Sequence, residues 1–223
     1  GPASSGVSAQ ATDSDIDAGN TATESVTVDN VAPTVVLSAA NDLFVSEGSQ
    51  HTYSFTVSDP GADSFSVLGV SCGSDGSQVG TTVTGGSGGS FVCLFPDGPA
   101  NSTVSVQVKD SDDAPSNMAT QLVTVANVAP TVTLTGPGTV AEGSTHTYSF
   151  TVADPGQDTF TVDATYPRCG ANGTLVGTPT TTASGGSFQC SFPDGPASTT
   201  LGIKVTDSDG ASDTDSEAVQ VVQ

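Results

Sequence analysis

The side chains with the clearest capacity for chemistry in this sequence are its carboxylates. Among 223 residues there are 24 acidic side chains and only three basic ones, so the formal net charge is −21 at neutral pH. Carboxylate oxygens are the hard ligands that calcium prefers, and a bound cation would relieve the mutual repulsion of these charges. The composition therefore predicts calcium as a cofactor, with solvated surface aspartates as the alternative. The same acidity argues against nucleic acid as a partner.

The four cysteines are the second set of reactive side chains. Cys72 and Cys93 are separated by 20 intervening residues, and Cys169 and Cys190 by the same number. Four cysteines permit three pairings, but two pairs at equivalent positions of a repeat favour Cys72 with Cys93 and Cys169 with Cys190. Disulfides indicate an oxidising site outside the cytoplasm, so we expect an extracellular or cell-surface protein. Free buried thiols are the alternative.

Residues that would serve catalysis are scarce. The two histidines, His51 and His146, begin the same motif "HTYSFTV", where the alternation of side chains predicts that they lie at the edge of a core. No glycine-rich phosphate loop follows a strand and opens a helix. We therefore expect no catalytic residues and no enzymatic activity.

The stretch "DSDIDAGNTATE" resembles a calcium-binding EF-hand loop only in part. Asp13, Asp15 and Asp17 occupy positions 1, 3 and 5 and Glu24 occupies position 12, but Ala18 stands where glycine is required. Helices are also not predicted on either side. We interpret the segment as a loop between two strands with aspartates at its tip.

Two triplets fit the acceptor sequence for N-glycosylation. These are "NST" at Asn101 and "NGT" at Asn172, and both are predicted to lie in loops. Such triplets arise easily by chance in a chain rich in serine and threonine.

An internal repeat organises all of these residues. "NVAPTV" begins at Asn30 and Asn127, and "GGSF" at Gly88 and Gly185, which gives a period of 97 residues. The chain then divides into a fragment (1–30) and two repeats (31–127 and 128–223). The opening "GPASSGVSAQATDSD" matches "GPANSTVSVQVKDSD" at 98–112. We therefore expect residues 1–30 to form the last two strands of a preceding repeat, completed by upstream residues or by strand pairing with a neighbouring molecule.

Alternating apolar and polar residues predict an all-β chain without helices. In the first complete repeat the predicted strands cover residues 34–38, 51–58, 64–72, 78–84, 90–94, 103–108 and 120–125. Seven short strands in about 97 residues are typical of an immunoglobulin-like sandwich, so the chain is predicted to contain tandem seven-strand β-sandwiches. The side chains expected to meet in the first core are Tyr53, Phe55, Val57, Val104, Val106 and Val108.

The motifs "NVAPTV", "EGSTHTYSFTV", "ADPG" and "VTDSDGASDTDSEAVQVV" resemble the PKD-like and cadherin-like repeats of large bacterial surface proteins. The chain lacks the "WDFGDG" segment of typical PKD domains and adds a cysteine pair. The resemblance covers nearly the whole chain and implies tandem immunoglobulin-like domains.

The loops of such sandwiches place many acids at the ends of the domains. The calcium site expected between the two complete repeats comprises Glu47, Asp97, Asn127, Asp154, Asp158, Asp207 and Asp209. Those expected to serve the preceding junction are Asp59, Asp63, Asp110 and Asp112. This arrangement is similar to cadherin junctions, although the linker "ANVAP" lacks their full "DxNDN" motif. Calcium would then stiffen the array, and its removal would expose the linker to proteases.

Repetition without a catalytic constellation favours a structural function: an extracellular stalk, an adhesin spacer or a surface filament whose partners are neighbouring repeats. The alternatives are an adhesion module that binds glycans or proteins, and accessory repeats of a secreted hydrolase. A glycan site usually presents exposed aromatic rings, and the chain has no tryptophan and only three tyrosines. No stretch of the chain approaches the roughly 18 apolar residues of a membrane span.

Overall fold

The computed structural model describes all 223 residues, and every regular element in it is a strand. No helix in the chain is long and apolar enough to cross a membrane. The eighteen strands are β1 (Ala3–Thr12), β2 (Ala18–Val28), β3 (Thr34–Leu37), β4 (Phe44–Ser46), β5 (Ser49–Ser58), β6 (Phe65–Ser71), β7 (Ser77–Gly85), β8 (Gly88–Phe95), β9 (Ala100–Asp110), β10 (Ala119–Ala126), β11 (Thr131–Thr135), β12 (Thr139–Ala141), β13 (Ser144–Ala153), β14 (Phe160–Val162), β15 (Thr174–Thr182), β16 (Gly185–Phe192), β17 (Ala197–Asp207) and β18 (Ser212–Val222).

Sixteen of these strands form four sheets of four strands each. Strands β3 to β10 build two sheets, with the orders β3-β5-β8-β7 and β4-β10-β9-β6. Strands β11 to β18 repeat the arrangement, with the orders β11-β13-β16-β15 and β12-β18-β17-β14. The predicted all-β architecture of tandem immunoglobulin-like sandwiches is confirmed.

Each sandwich also contains one short strand that the sequence did not predict. The first strand is split, so that β3 pairs antiparallel with β5 while the three residues of β4 pair parallel with β10 in the other sheet. Strand β12 does the same with β18. Three residues are too few to display an alternating pattern, which is why β4 was missed.

Alternating burial explains why these segments form strands. Along β9 every second side chain is buried, including Val104, Val106 and Val108, as the alternation predicted. Tyr53 and Phe55 of β5 are also buried, whereas Val57 is only half-buried. The equivalent cluster of the C-terminal sandwich contains Tyr148, Phe150, Phe188, Phe192, Leu201, Ile203 and Val205. Burial of these apolar side chains is the main stabilising contribution of each sandwich.

The cysteines pair as predicted. Cys72 bonds to Cys93 and Cys169 bonds to Cys190, with Cα atoms 5.6 and 5.7 Å apart, and no free cysteine remains. Each bond joins the strand or loop before the glycine-rich edge strand to the strand that follows it.

Contacts between residues divide the chain into two compact units. The first comprises residues 1–43, 51–93 and 103–122, and the second comprises 44–50, 94–102 and 123–223. The second unit therefore includes two short segments from the N-terminal half, and these carry Glu47 and Asp97. The repeat boundaries at residues 30 and 127 stay a prediction.

Strands β1 and β2 form a separate antiparallel sheet of two strands in which every residue is exposed. The hairpin tip is closed by Asp13, whose Oδ1 accepts hydrogen bonds from the amides of Asp15 and Asp17, both at 3.0 Å. This local turn agrees with a loop between strands and not with an EF-hand. The additional strands expected to complete this sheet stay a prediction.

Candidate metal centre

Four loops of the second unit bring five carboxylates together. Glu47 lies in the turn between β4 and β5, and Asp97 precedes β9. Asp154 and Asp158 lie in the "DPGQD" loop after β13, and Asp209 lies at the tip of the β17–β18 hairpin. All five residues were predicted from sequence, and two groups of three converge closely enough to hold a cation.

The first group, which we call the inner triad, comprises Glu47, Asp154 and Asp158. One carboxylate oxygen from each residue lies within 4.8 Å of the other two. Glu47 is almost entirely buried, with 2% of its surface exposed, and the two aspartates are half-buried. Three carboxylates this close repel one another strongly unless a cation or protons compensate their charge.

The second group, which we call the outer triad, comprises Asp97, Asp158 and Asp209. Its oxygens also lie within 4.8 Å of one another, but Asp97 and Asp209 are exposed to solvent. Asp158 belongs to both triads. The two triads therefore form one continuous acidic centre with a buried end and an exposed end.

Several oxygen atoms in this centre are buried without a hydrogen-bond partner. These are Oδ2 of Asp154, Oδ2 of Asp158 and Oδ1 of Asn127. The other carboxylate oxygen of each aspartate is used, because Oδ1 of Asp154 accepts from the Gly156 amide at 2.9 Å and Oδ1 of Asp158 accepts from the Ser208 hydroxyl. Burying a charged oxygen without a partner is costly, and coordination of a cation would compensate that cost.

Glu47 is held in place by two backbone amides. Its Oε1 accepts from Val128 at 2.7 Å and its Oε2 from Gly98 at 2.8 Å. Burial raises the pKa of Glu47, these two hydrogen bonds lower it, and the nearby charges of Asp158 and Asp154 raise it, so that the pKa lies above its ordinary value. The carboxylate thus experiences the repulsion expected of a centre in need of a cation.

The pKa of Asp209 is raised as well. Loss of solvation is the largest cause, followed by its interactions with Asp158 and the charges of Asp97 and Asp207. A raised carboxylate pKa among like charges is typical of a functional or metal-binding site.

Glycines allow the loops to approach closely. A Cβ atom on Gly156 would lie 2.5 Å from the carboxylate carbon of Glu47 and 2.8 Å from Oδ2 of Asp158. Gly48 has a φ of +68°, and a Cβ atom there would overlap the carbonyl oxygen of Pro155. Sequence analysis missed these positioning residues, although the recurrence of "EGS" and "DPG" in both repeats was a usable signal.

Two of the predicted ligands have a different arrangement. Oδ1 of Asp207 accepts from the amides of Asp209 and Ala211 at 3.0 and 2.8 Å, and its Oδ2 accepts from the Asn127 side chain at 3.0 Å. Burial favours a higher pKa for Asp207, but these hydrogen bonds hold the pKa below its ordinary value. Asp207 therefore lies outside both triads and shapes the hairpin tip that presents Asp209.

The aspartates predicted to serve the preceding junction lie in the first unit. Oδ1 of Asp59 accepts from the Gly61 amide at 2.8 Å, Oδ1 of Asp63 accepts from the Ser111 hydroxyl at 2.9 Å, and both Oδ2 atoms are buried without a partner. Asp110 caps its turn as Asp207 does, and its Oδ2 accepts from Asn30 at 2.7 Å. These residues and Asp112 are not among the two converging triads.

The remaining candidates do not form a site with one another. Asn101 lies within strand β9, so its predicted position in a loop is wrong, because the strand begins directly after the "FPDGP" turn. Asn172 lies in a turn as predicted, and its side-chain amide donates to the Ser198 carbonyl at 2.9 Å. His51 and His146 are half-buried at equivalent positions of β5 and β13, as expected.

No family model matches the chain, and no curated protein matches it either. Solved structures are similar to it at low identity. A PKD domain of an M14-like peptidase from the archaeon Thermoplasmatales SCGC AB-540-F20 covers 44% of this chain and 99% of its own, with 20% identity and a TM-score of 0.37. Titin domains A168–A170 cover 85% of this chain and 66% of their own, with 11% identity and a TM-score of 0.45.

The extracellular domain of protocadherin GammaB4 is also similar, covering 99% of this chain and 42% of its own at 14% identity and a TM-score of 0.33. The identities are too low to transfer a function. The sheet orders described above define the class of fold: the chain is a tandem array of PKD-like and immunoglobulin-like β-sandwiches.

Proposed function

We propose that this chain is a structural segment of an extracellular repeat protein, such as a stalk, an adhesin spacer or a surface filament, and that calcium stabilises its acidic centre. The observation that carries the proposal is the inner triad, in which the buried Glu47 faces Asp154 and Asp158, each with a buried and unpartnered oxygen. The expected partners are neighbouring repeats of the same protein.

Calcium suits this centre better than other common ions. Every available ligand atom is a carboxylate, amide or backbone oxygen, and neither histidine nor cysteine is present among the five acids. Calcium takes six to eight oxygen ligands with flexible geometry, which a set of loops can provide together with water. Magnesium demands a smaller and more regular octahedron, and zinc favours nitrogen and sulfur ligands.

A structural role follows from what calcium would connect. The ligands come from four separate loops, one of which adjoins Val128, and a cation that binds all of them would restrict their movement relative to one another. The two disulfides support an extracellular location, because such bonds persist in oxidising compartments. The two tyrosines at the centres of the sandwiches, Tyr53 and Tyr148, are buried, which disfavours a glycan-binding surface built on them.

Isothermal titration calorimetry on the chain after treatment with chelator tests the proposal. We expect calcium to bind, and the Asp158→Asn variant to lose most of that binding. Asp194 is the matched control, because it is the counterpart of Asp97 in the second repeat and lies outside both triads, so Asp194→Asn should bind calcium as the unmodified chain does. Limited proteolysis at residues 126–130 should slow when calcium is added. Absence of calorimetric binding at millimolar calcium would contradict the proposal.

A further inference from the structure

We infer that the acidic centre holds two calcium ions that share the carboxylate of Asp158, and that the ions bind in order, the inner one first and the outer one at higher calcium concentration. This inference rests on the proposed function and specifies how that site responds to calcium. It follows from the presence of two triads with one common member and unequal exposure.

Charge balance supports two ions and not one. The centre contains five carboxylates, Glu47, Asp97, Asp154, Asp158 and Asp209, which together carry a charge of −5 when ionised. One divalent ion leaves −3 and two leave −1. A single ion in the inner triad would also leave Asp97 and Asp209 facing each other without compensation.

The inner triad should bind more tightly. Glu47 is buried and already fixed by two backbone amides, so little conformational freedom is lost when it coordinates an ion. The unpartnered Oδ2 atoms of Asp154 and Asp158 are buried, so an ion there replaces no hydrogen bond with the protein. Electrostatic attraction is also screened less in a buried position.

The outer triad should bind more weakly for two reasons. Asp97 and Asp209 are exposed, so water and dissolved salt compete with the ion for their oxygens. The second cation must also approach the first across the shared Asp158 carboxylate, and like charges repel. The outer ion would therefore bind and leave over a range of free calcium in which the inner ion stays bound.

This difference assigns separate consequences to the two positions. The inner ion joins the β4–β5 turn to the loop after β13, whereas the outer ion joins the segment before β9 to that same loop and to the β17–β18 hairpin tip. The hairpin tip and the segment before β9 would thus respond to the external calcium concentration. The β4–β5 turn would not.

Equilibrium dialysis with radioactive calcium, combined with calorimetry on the whole chain, tests the inference. We expect two ions per chain whose dissociation constants differ by at least tenfold and which both depend on Asp158. Asp97→Asn and Asp209→Asn should each remove only the weaker ion and change the tighter constant less than threefold. Asp154→Asn should weaken the tighter step at least tenfold, and Asp158→Asn should affect both. Asp194→Asn is again the control and should change neither.

The possible results separate this inference from the proposed function. If the chain binds no calcium, both are overturned. If it binds one ion that is lost in Asp154→Asn and Asp158→Asn but unaffected by Asp97→Asn and Asp209→Asn, the inference of a second ion is wrong while the proposed function stands. Two ions that are both insensitive to Asp158→Asn would also overturn the inference. Circular dichroism of each variant checks that the β-structure is retained.

Discussion

The carboxylate of Glu47 accepts a hydrogen bond of 2.7 Å from the backbone amide of Val128, 81 residues further along the chain. The same carboxylate accepts from Gly98 at 2.8 Å, so one buried side chain connects the β4–β5 turn to the start of the "GPA" segment and to the residues after β10. Its counterpart Glu142 is exposed and accepts from Gly195 at 3.0 Å. This pair offers a matched comparison.

Glu47→Gln should destabilise the chain more than Glu142→Gln. A glutamine can accept from only one of the two amides facing it and turns its own N–H donors toward the other, and an unsatisfied buried group costs about 1–3 kcal/mol. At the exposed Glu142, water can replace the lost bond, so the expected loss is below about 1 kcal/mol. Urea unfolding in the presence of chelator measures both values. Equal losses would contradict the importance of the Val128 contact.

Gly48→Ala should cost more than Gly143→Ala, although both glycines have a positive φ, +68° and +73°. The left-handed conformation costs an alanine roughly 1–2 kcal/mol at either position. Only at Gly48 would the new methyl group also overlap the Pro155 carbonyl oxygen, because nothing lies within 4 Å of the corresponding position at Gly143. The resulting shift adds about 1–3 kcal/mol. Thermal unfolding of the two variants under the same conditions compares them directly.

Calcium should raise the unfolding free energy of the chain. If the ion binds only the folded state, a concentration 100 times the dissociation constant adds about 2.7 kcal/mol. Scanning calorimetry with calcium and then with chelator measures the shift. Asp158→Asn should reduce the shift, and Asp194→Asn should leave it intact, so a shift that survives in Asp158→Asn would locate the effect elsewhere.

Removal of either disulfide should destabilise the chain to a similar extent. Both bonds span a sequence separation of 21 residues, and the loop-entropy estimate for such a loop is about 3 kcal/mol. The double variant Cys72→Ala with Cys93→Ala can be compared with Cys169→Ala and Cys190→Ala by denaturant unfolding. Intact-mass analysis of the unmodified chain should detect no free thiol. Four free thiols in native material would contradict the pairing.

Asp110 should make the stability of the first unit depend on pH. The hydrogen bond from Asn30 is the main reason that the pKa of Asp110 lies below its ordinary value of 3.8. Ionised Asp110 therefore stabilises the fold above pH 3.8, and this contribution is lost as the pH falls below 3.8 through the pKa of the folded state. Unfolding measured at about pH 6 and about pH 3 should show a difference between the unmodified chain and Asp110→Asn that shrinks at the lower pH. A constant difference would contradict this.

Periodicity predicted the long strands well, because β5 and β9 each alternate over at least ten residues with one face buried. Strand β4 escaped prediction because its pairing with β10 depends on tertiary structure and not on a local pattern. The ends of the strands were also less predictable, and β9 extends back to include Asn101.

The assembly of the acidic centre could be predicted to a large extent, because the order of strands in a sandwich determines which loops share an end. Glu47, Asp97, Asp154 and Asp158 were placed together on that basis. The role of Asp207 was not predictable in the same way. Its oxygens bind the amides of its own turn, and such local hydrogen bonds compete with coordination wherever an aspartate begins a tight hairpin.

The parallel pairing of β12 with β18 bears on how the C-terminal sandwich would carry mechanical load. Its three register pairs join Thr139 to Gln220, Val140 to Val221 and Ala141 to Val222. When a parallel pair is pulled at the start of one strand and the end of the other, the force acts along the strands in opposite directions. The hydrogen bonds between them are then sheared together and cannot be peeled apart one at a time. We expect this short contact to resist tension until it breaks abruptly, so that three residues set the force at which the sandwich first opens.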